Sequence, residues 1–455
     1  MPPGSERHLR EASYEWHASA GLERLGRISR TRHPVLETVE GRRLRPDTEA
    51  VVTTAAALGH EVHCATTRVR PPDGEPVWGA VHANPVVDFA ARDIMDELAD
   101  YAAAHRIDGI HTGNEYLTPL AARLCGRLKL PGNDPDLADG PRNKAVMAAR
   151  FAAHGVHAPS TLVAGSEAEL LGLVPDRLAL PVVVKPAANA GSNGVSVVSD
   201  PLRLPEAYAA ARRQGGETAP LGIALDDRVL VQEYVAGQEY SIESVTQDGH
   251  SRHLAITRKI TTPGAHRVEI GHSLPTHLTP ELEDRVLAEA TRTLAALGIT
   301  DSVSHTEVIV TPDGDCKVIE AAARIGAGRI GVLVELALGV SMPRASVDLA
   351  LGRPVDVEPR HSGHAVSRLV VSPAPGVLKE LRNLPEPGGE VHLVQVTRPL
   401  GSAVTGPQSN KGRVGHFVVH GRDDAAVNAR ADALLARVAV VVDQDSGTEA
   451  TGGRP

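Results

Sequence analysis

The sequence predicts an α/β (α+β) protein, and three observations carry that prediction. Strand-like and helix-like runs alternate between residues 33 and 128, the pattern of a parallel sheet with helices on its faces. A strand-rich section runs from about 160 to 275, and a smaller β-rich module begins near 355. With 455 residues the chain has room for two to four domains and an ample core.

In the first section HPVLETV (33–39) reads as a strand, residues near Thr48–Leu58 as a helix, and EVHCATT (61–67) as the next strand. Helical stretches around 89–105 and 117–128 bracket IDGIHTGNEY (107–116), a strand leading into a loop. The turn-rich KLPGNDPDLADGP (129–141) closes this section. RNKAVMAARFAAHG (142–155) is a helix stopped by Gly155. At 280–297 Thr279 caps a helix, Pro280 suits its first position, and Gly298 ends it. VSRLVVS (366–372) and GRVGHFVVHG (412–421) are strands of the last module. An alanine-rich helix near 424–437 and the strand RVAVVV (437–442) close it. Residues 1–32 show no clear period and read as an extension, and 446–455 read as a disordered tail.

Composition excludes several classes of function. Hydrophobic residues make up 42% and charged ones 23%, ordinary for a globular protein, but only 2% are aromatic. The core must therefore be built from Ala, Val, Leu and Ile. A net charge of −9 argues against a general nucleic-acid binder. The basic patches RISRTRH (27–33) and GRRLR (41–45) are short and read as solvated surface. No apolar run is long enough to span a bilayer, and the N-terminus lacks a signal peptide's apolar core, so no membrane partner and a cytoplasmic location are expected. Cys64, Cys125 and Cys316 are far apart and odd in number, which implies buried small hydrophobes rather than disulfides or a zinc site.

Three stretches can carry chemistry. In TEVIVTPDGDCKVIE (306–320), two β-branched strands flank turn residues 312–315. A loop of two or of four residues gives the same register, which sets Thr311 opposite Cys316 and Glu307 opposite Glu320. Directly opposed carboxylates lie roughly 5 Å apart on one face, where like charges destabilise the sheet. They either meet water or hold a divalent cation, and Mg²⁺ favours one or two carboxylates completed by phosphate oxygens. PVVVKPAANAGSNGVSVV (181–198) is a strand, Lys185, a small-residue loop and another strand. Gly191 and Gly194 let backbone amides turn toward an anion, Asn189 and Ser192 add donors, and Lys185 supplies a point charge; a plain hairpin is the other reading. VLVQEYVAGQEYSIE (229–243) is two strands around a polar break that either takes a purine, with Glu239 accepting from ribose, or is an edge hairpin.

The order of these pieces resembles the ATP-grasp superfamily over about residues 33–445. The series runs from Lys144 on a helix through the strand–Lys–Pro glycine loop and QEYVAGQEYSIE to HTE (305–307) and IEAAAR (319–324). GNEYLTPLAARLCGRLKLPG (113–132), RVEIGHSLP (267–275) and the arginine four residues after Glu320 are similar to the L-amino-acid ligases, carboxylate–amine ligases that make dipeptides. The resemblance implies a pre-ATP-grasp α/β domain (33–138), a lid subdomain (139–225), a catalytic subdomain (226–354) and a β-rich C-terminal module (355–445).

It further implies that Glu307 and Glu320 hold Mg²⁺, with Mn²⁺ as the alternative cation, and that Lys144 and Lys185 contact ATP phosphates. The backbone of Glu233, Tyr234 and Val235 takes adenine, and Glu239 the ribose. Arg324 and Lys185 are the catalytic cations; Glu115, Glu269 and His272, with Arg324, line the amino-acid pocket. Many members carry an asparagine metal ligand where this chain has Ala322, and Gly326 and Gly328 hint at room beside the pocket. The expected activity activates an amino-acid carboxylate as an acyl phosphate and couples it to an amine, releasing ADP and phosphate. A phosphotransferase, a ligase for a different carboxylate, and a non-catalytic ATP-binding module are the alternatives. The expected partners are small molecules, and a homodimer is compatible with the sequence.

Overall fold

A computed structural model describes residues 32–36, 44–70, 76–216, 219, 221–262, 268–407 and 410–443. The sequence readings on the N-terminal extension up to 31, on residues 37–43, on Arg267 and on the tail lie outside the described residues.

The N-terminal section is a parallel sheet ordered β1 (Arg32–Leu36), β2 (Glu61–Ala65), β3 (Val81–Ala83). Helices α1 (Pro46–Ala57), α2 (Ile94–His105) and α3 (Thr118–Leu128) accompany it. Of the strand expected to lead into a loop within 107–116, only single bridges form, at Ile107 and His111; the loop follows, and a 3₁₀ turn begins at Glu115. Two polar side chains shape that bend, as Asn114 Oδ1 accepts from the Tyr116 N–H and Thr112 Oγ1 accepts from the Asn114 N–H. All three cysteines are buried, as their spacing implied.

Helix α4 (Lys144–His154) starts two residues later than its apolar pattern, because Asn143 caps it through the Ala145 and Val146 N–H groups. Gly155 ends it at φ +62°, as expected. Strands β4 (Thr161–Ala164), β5 (Val182–Pro186), β6 (Ser196–Val198) and β7 (Val229–Glu233) form a four-stranded sheet in the order β4-β7-β5-β6. The section read as strand-rich also holds two helices, α5 (Glu167–Arg177) and α6 (Leu204–Gly215). They cover one face through Leu170, Val174, Leu204 and Ala211 against Val182, Val184, Val229 and Val231. By the period of two, Lys185, Leu230 and Gln232 project from the opposite face, toward α4.

A separate eight-stranded sheet contains β8 (Gln238–Gln247), β9 (His250–Thr261), β10 (Glu269–Leu274), β11 (Ser302–Val310) and β12 (Cys316–Ala322). It continues into β13 (His364–Val371), β15 (Val391–Val396) and β17 (Arg413–Gly421), in the order β12-β11-β8-β9-β10-β13-β17-β15. No sheet boundary therefore falls at 354/355. Strands β14 (Pro375–Arg382), β16 (Ala403–Thr405) and β18 (Ala439–Asp443) form a small third layer beside helix α10 (Asp424–Leu435).

Helix α7 (Pro280–Ala296) covers one face with α4, where Val286, Ala290, Leu294, Met147 and Phe151 share a core with Ile242, Val308 and Val318. Its N-cap, Thr279, makes no side-chain hydrogen bond to the helix, so the expected cap is positional only. Helices α8 (Ile330–Leu338) and α9 (Met342–Ala350) cover part of the other face and share a core with α1. Among the described residues no single helix is long and apolar enough to cross a membrane.

Two loop details set the cleft. Strands β7 and β8 belong to different sheets, so residues 234–237 form a junction between them rather than a hairpin. A Cβ at Gly237 would lie 2.2 Å from the Val310 carbonyl oxygen, so only glycine lets the chain pass so close to β11. The hairpin loop, residues 311–315, has five residues, and Val310 rather than Thr311 pairs with Cys316. A bulge between Val308 and Glu307 takes up the extra residue and restores the expected pairing of Glu307 with Glu320.

Candidate active site

The face of the eight-stranded sheet opposite α7 carries the ionisable groups. Glu239, Ser241 and Glu243 alternate along β8, flanked by Lys259 on β9 and by His305 and Glu307 on β11. Lys259 Nζ lies 2.5 Å from Glu239, 2.7 Å from Glu307 and 3.6 Å from Glu269. His305 bridges two carboxylates, with Nδ1 3.0 Å from Glu243 Oε2 and Nε2 3.2 Å from Glu307 Oε1. Burial alone would lower the His305 pKa, but Glu243 and Glu307 push it up to about 10, so both ring nitrogens donate. Glu307 is held well below the usual carboxylate range against its own burial, first by Lys259 and then by His305. Glu243 is fully buried and also accepts from Ser241 and Thr257.

A second cluster faces Glu320. Lys144 Nζ is 3.1 Å from Glu320 and donates to the Asn189 carbonyl at 3.2 Å. Arg324 Nη2 binds Glu115 at 2.7 Å, and Arg142 approaches the other Glu115 oxygen at 3.7 Å. Burial would raise the Glu115 pKa, yet Arg324, Lys144 and Arg142 hold it down at about 2. Arg142 also stacks over the Tyr116 ring, 4.4 Å from its centroid. The paired glutamates thus stand between two ionic clusters, one reaching Glu269 and the other Glu115.

Between α4 and the small sheet lies a cavity of about 170 Å³ lined by Lys144, Met147, Phe151, Lys185, Leu230 and Gln232. Lys185 Nζ donates to Gln232 Oε1 at 2.9 Å, and burial pulls its pKa down to about 8. Above it, Gly191, Ser192 and Gly194 all take positive φ, turning the loop sharply back toward α6. Asn189 has a structural part in this loop. Its side-chain amide donates to the Gln214 carbonyl and its oxygen accepts from Ala190 N–H and Tyr116, so it also anchors the loop. The Glu233 N–H donates to the Ser160 carbonyl and its carboxylate pairs with Lys317, and Tyr234 and Val235 follow it into the junction.

Around Glu269, His272 Nε2 is 3.1 Å away and Arg413 Nη2 3.4 Å. His272 is only 1% exposed, with Nδ1 against Ser367 Oγ, so it sits behind Glu269 and orients it rather than lining open space. The two glycines read as making room do something else. A Cβ at Gly326 would meet the His305 ring at 2.6 Å and one at Gly328 the His272 ring at 2.4 Å, so both seat histidines. Ala322 pairs directly with His305 across the hairpin. Sequence reasoning passed over Lys259, Glu243, Arg142, Gln232 and Arg413, and left His305 without a role. Only the period-two alternation of Glu239, Ser241 and Glu243 gave a signal.

The donor set suits the expected cation: Glu307 and Glu320 present only carboxylate oxygens, from directly paired residues. Lys259 and Lys144 pair with those same carboxylates.

Family profiles match three parts of the chain: an ATP-grasp N-terminal domain at residues 52–132, an ATP-grasp domain at 178–332, and L-amino acid ligase C-terminal domain 2 at 368–443. The chain is an ATP-grasp protein. It resembles the L-amino-acid ligases. The uncharacterized protein y4rH of Sinorhizobium fredii is 28% identical to this ATP-grasp chain over 289 residues, 63% of this chain and 57% of that protein. Alanine–anticapsin ligase of Bacillus subtilis is 24% identical over 287 residues, 59% of this chain and 60% of the ligase. The matches thus cover about three fifths of these relatives' length. The crystal structure of an L-amino acid ligase from Bacillus licheniformis superposes with a TM-score of 0.75 at 21% identity, covering 92% of this chain and all of that one, so the ATP-grasp fold is common to both.

Proposed function

We propose that this ATP-grasp chain is an ADP-forming carboxylate–amine ligase that joins an amino-acid carboxylate to an amine, with a second amino acid as the amine donor. The observation that supports it most is the glutamate pair flanked by two lysines and by the Arg324–Glu115 bridge. The names of the alanine–anticapsin ligase and L-amino acid ligase relatives point to the same class of substrate.

The chemical difficulty is that an anionic carboxylate must attack a triphosphate. Lys185 and Lys144 would neutralise the phosphates from the cavity side, and Arg324 would meet the γ-phosphate and then the oxyanion formed by amine attack. Glu307 and Glu320 would hold Mg²⁺, which when bound supplies charge neutralisation at the phosphate oxygens. Adenine would lie at the Glu233–Val235 junction, with Glu239 near the ribose. A carboxylate oxygen attacks the γ-phosphorus as the bond to ADP breaks; the amine then attacks the acyl phosphate and phosphate leaves. Glu115 and Glu269 would balance substrate ammonium groups, with His272 fixing Glu269. Water destroys an acyl phosphate, so we assign the four-stranded sheet with α5 and α6 the role of a closing lid.

Lys185 gives a pH-dependent test of the phosphate site. ATP binds the charged lysine better, so affinity should be highest below about pH 8 and fall as pH rises through that value. Lys185→Arg, charged throughout, should flatten the profile. Lys185→Ala should lose ~1.5–3 kcal/mol, roughly tenfold or more in affinity, at neutral pH. A flat wild-type profile by calorimetry between pH 7 and 9.5 would count against the assignment.

The direct test screens amino-acid pairs for phosphate release with mass detection of the product. Release should need both a carboxylate and an amine, and the product should weigh one water less than their sum. A stable phosphorylated product formed without amine would identify a phosphotransferase instead.

A further inference from the structure

Away from the cleft, the N-terminal sheet gathers a second set of donor groups that the ligase chemistry does not use. Glu61 and His63 lie two residues apart on β2, hence on one face, and His82 comes from the neighbouring β3. One ligand atom from each of the three lies within 4.8 Å of the others. The His63 ring is buried, and its Nδ1 is 2.7 Å from the Tyr101 hydroxyl on α2. His82 stacks on His63 with centroids 5.4 Å apart, and His105, from the last turn of α2, packs edge-on against it at 5.3 Å.

We propose that Glu61, His63 and His82 form a binding site for a divalent transition metal of borderline softness, Zn²⁺ foremost, separate from the paired glutamates of the cleft. Two imidazoles and a carboxylate with no thiolate are the donors that Zn²⁺ takes and that Mg²⁺ does not favour. The Tyr101 hydroxyl against Nδ1 fixes the His63 ring, and the metal would bind at Nε2 of the tautomer in which Nδ1–H donates to Tyr101, the arrangement in which a ligating histidine is held by its other nitrogen. His82 is exposed and Glu61 partly so, which gives the ion a path in from solvent. Metal–ligand distances of about 2.0–2.2 Å require the three atoms to close from their present spread, which rotation of the Glu61 and His82 side chains would achieve. Three protein ligands leave a fourth tetrahedral position to water. The ion would tie β2 to β3 and, through Tyr101, to α2, and so stabilise the folded chain.

The test uses full-length protein stripped of metal, titrated with Zn²⁺ by calorimetry and with Co²⁺ by visible absorption, both in excess Mg²⁺ to occupy the cleft carboxylates. Wild type should take up one saturable equivalent, give the absorption bands of four-coordinate Co²⁺, and unfold at a higher temperature with Zn²⁺ than without. His82→Ala, at an exposed position that the fold tolerates, should abolish that equivalent and the stabilisation while leaving phosphate release unchanged. Tyr101→Phe should weaken uptake about 10–100-fold by freeing the His63 ring. Glu307→Gln should bind as wild type does. No saturable uptake by wild type, uptake retained in His82→Ala, or uptake lost in Glu307→Gln would each overturn the proposal.

Discussion

Glu320→Gln and Glu307→Gln are expected to lower turnover by about 10²–10³-fold or more, the scale for removing one electrostatic stabiliser from a reacting centre. An amide is a poor ligand for Mg²⁺, and no other carboxylate is paired across this hairpin. The fold should survive. In Glu307→Gln, Lys259 keeps Glu239 and His305 keeps Glu243, so neither cation is left buried without a partner. In Glu320→Gln, Lys144 still donates to the Asn189 carbonyl. Glu239, Glu243, Glu269 and Glu307 crowd around Lys259, His305 and Arg413, so losing one negative charge eases the cluster rather than straining it. Turnover against Mg²⁺ concentration, with a thermal unfolding midpoint for each variant, checks both halves. Near-normal activity at limiting Mg²⁺ would remove the metal assignment.

Arg324→Lys should reduce amide formation by a similar factor while ATP affinity changes little. The guanidinium fork matches the paired oxygens of a phosphate; in the structure Nη2 binds one Glu115 oxygen and Nη1 donates to the Ile325 carbonyl. Lysine keeps the charge and loses the fork. An interaction made mainly in the transition state shows up in kcat and leaves ground-state binding alone. Glu115 should also feel the change, since Arg324 is the strongest of the cations that offset its burial. Equal losses in ATP affinity and in turnover would make Arg324 a nucleotide-binding residue only.

Much of this was legible because strands impose a period of two. The pairing of Glu307 with Glu320 followed from turn residues and β-branched flanks, and it held although the loop has five residues rather than two or four, because the bulge beside Glu307 restores the register. What was not legible depends on which strands become neighbours. Lys259 means nothing in ITRKIT until β8 brings Glu239 beside it and β11 brings Glu307. The same holds for Glu243 and His305, whose partnership crosses a pair of strands far apart in sequence. Gly326 and Gly328 were misread for a related reason: a missing side chain signals space, and only the fold reveals that histidine rings fill it. That only single bridges form within 107–116 reflects local competition, with Thr112 and Asn114 bonding the backbone of their own bend.

The unbroken eight-stranded sheet also fixes an order of assembly on the ribosome. The elements around the cavity and the glutamate pair are all synthesised once Ala322 has emerged. Strand β10, which carries Glu269 and His272, must then wait for β13, which begins at His364, and Arg413 arrives later still on β17. Until β13 is made, the elements around the proposed nucleotide cleft precede an unpaired edge of β10, the kind of edge that pairs with other chains. The last quarter of the polypeptide is therefore what seals the sheet and completes the wall behind Glu269, and exchange of that segment between related enzymes would have to carry the seam between β10 and β13 with it.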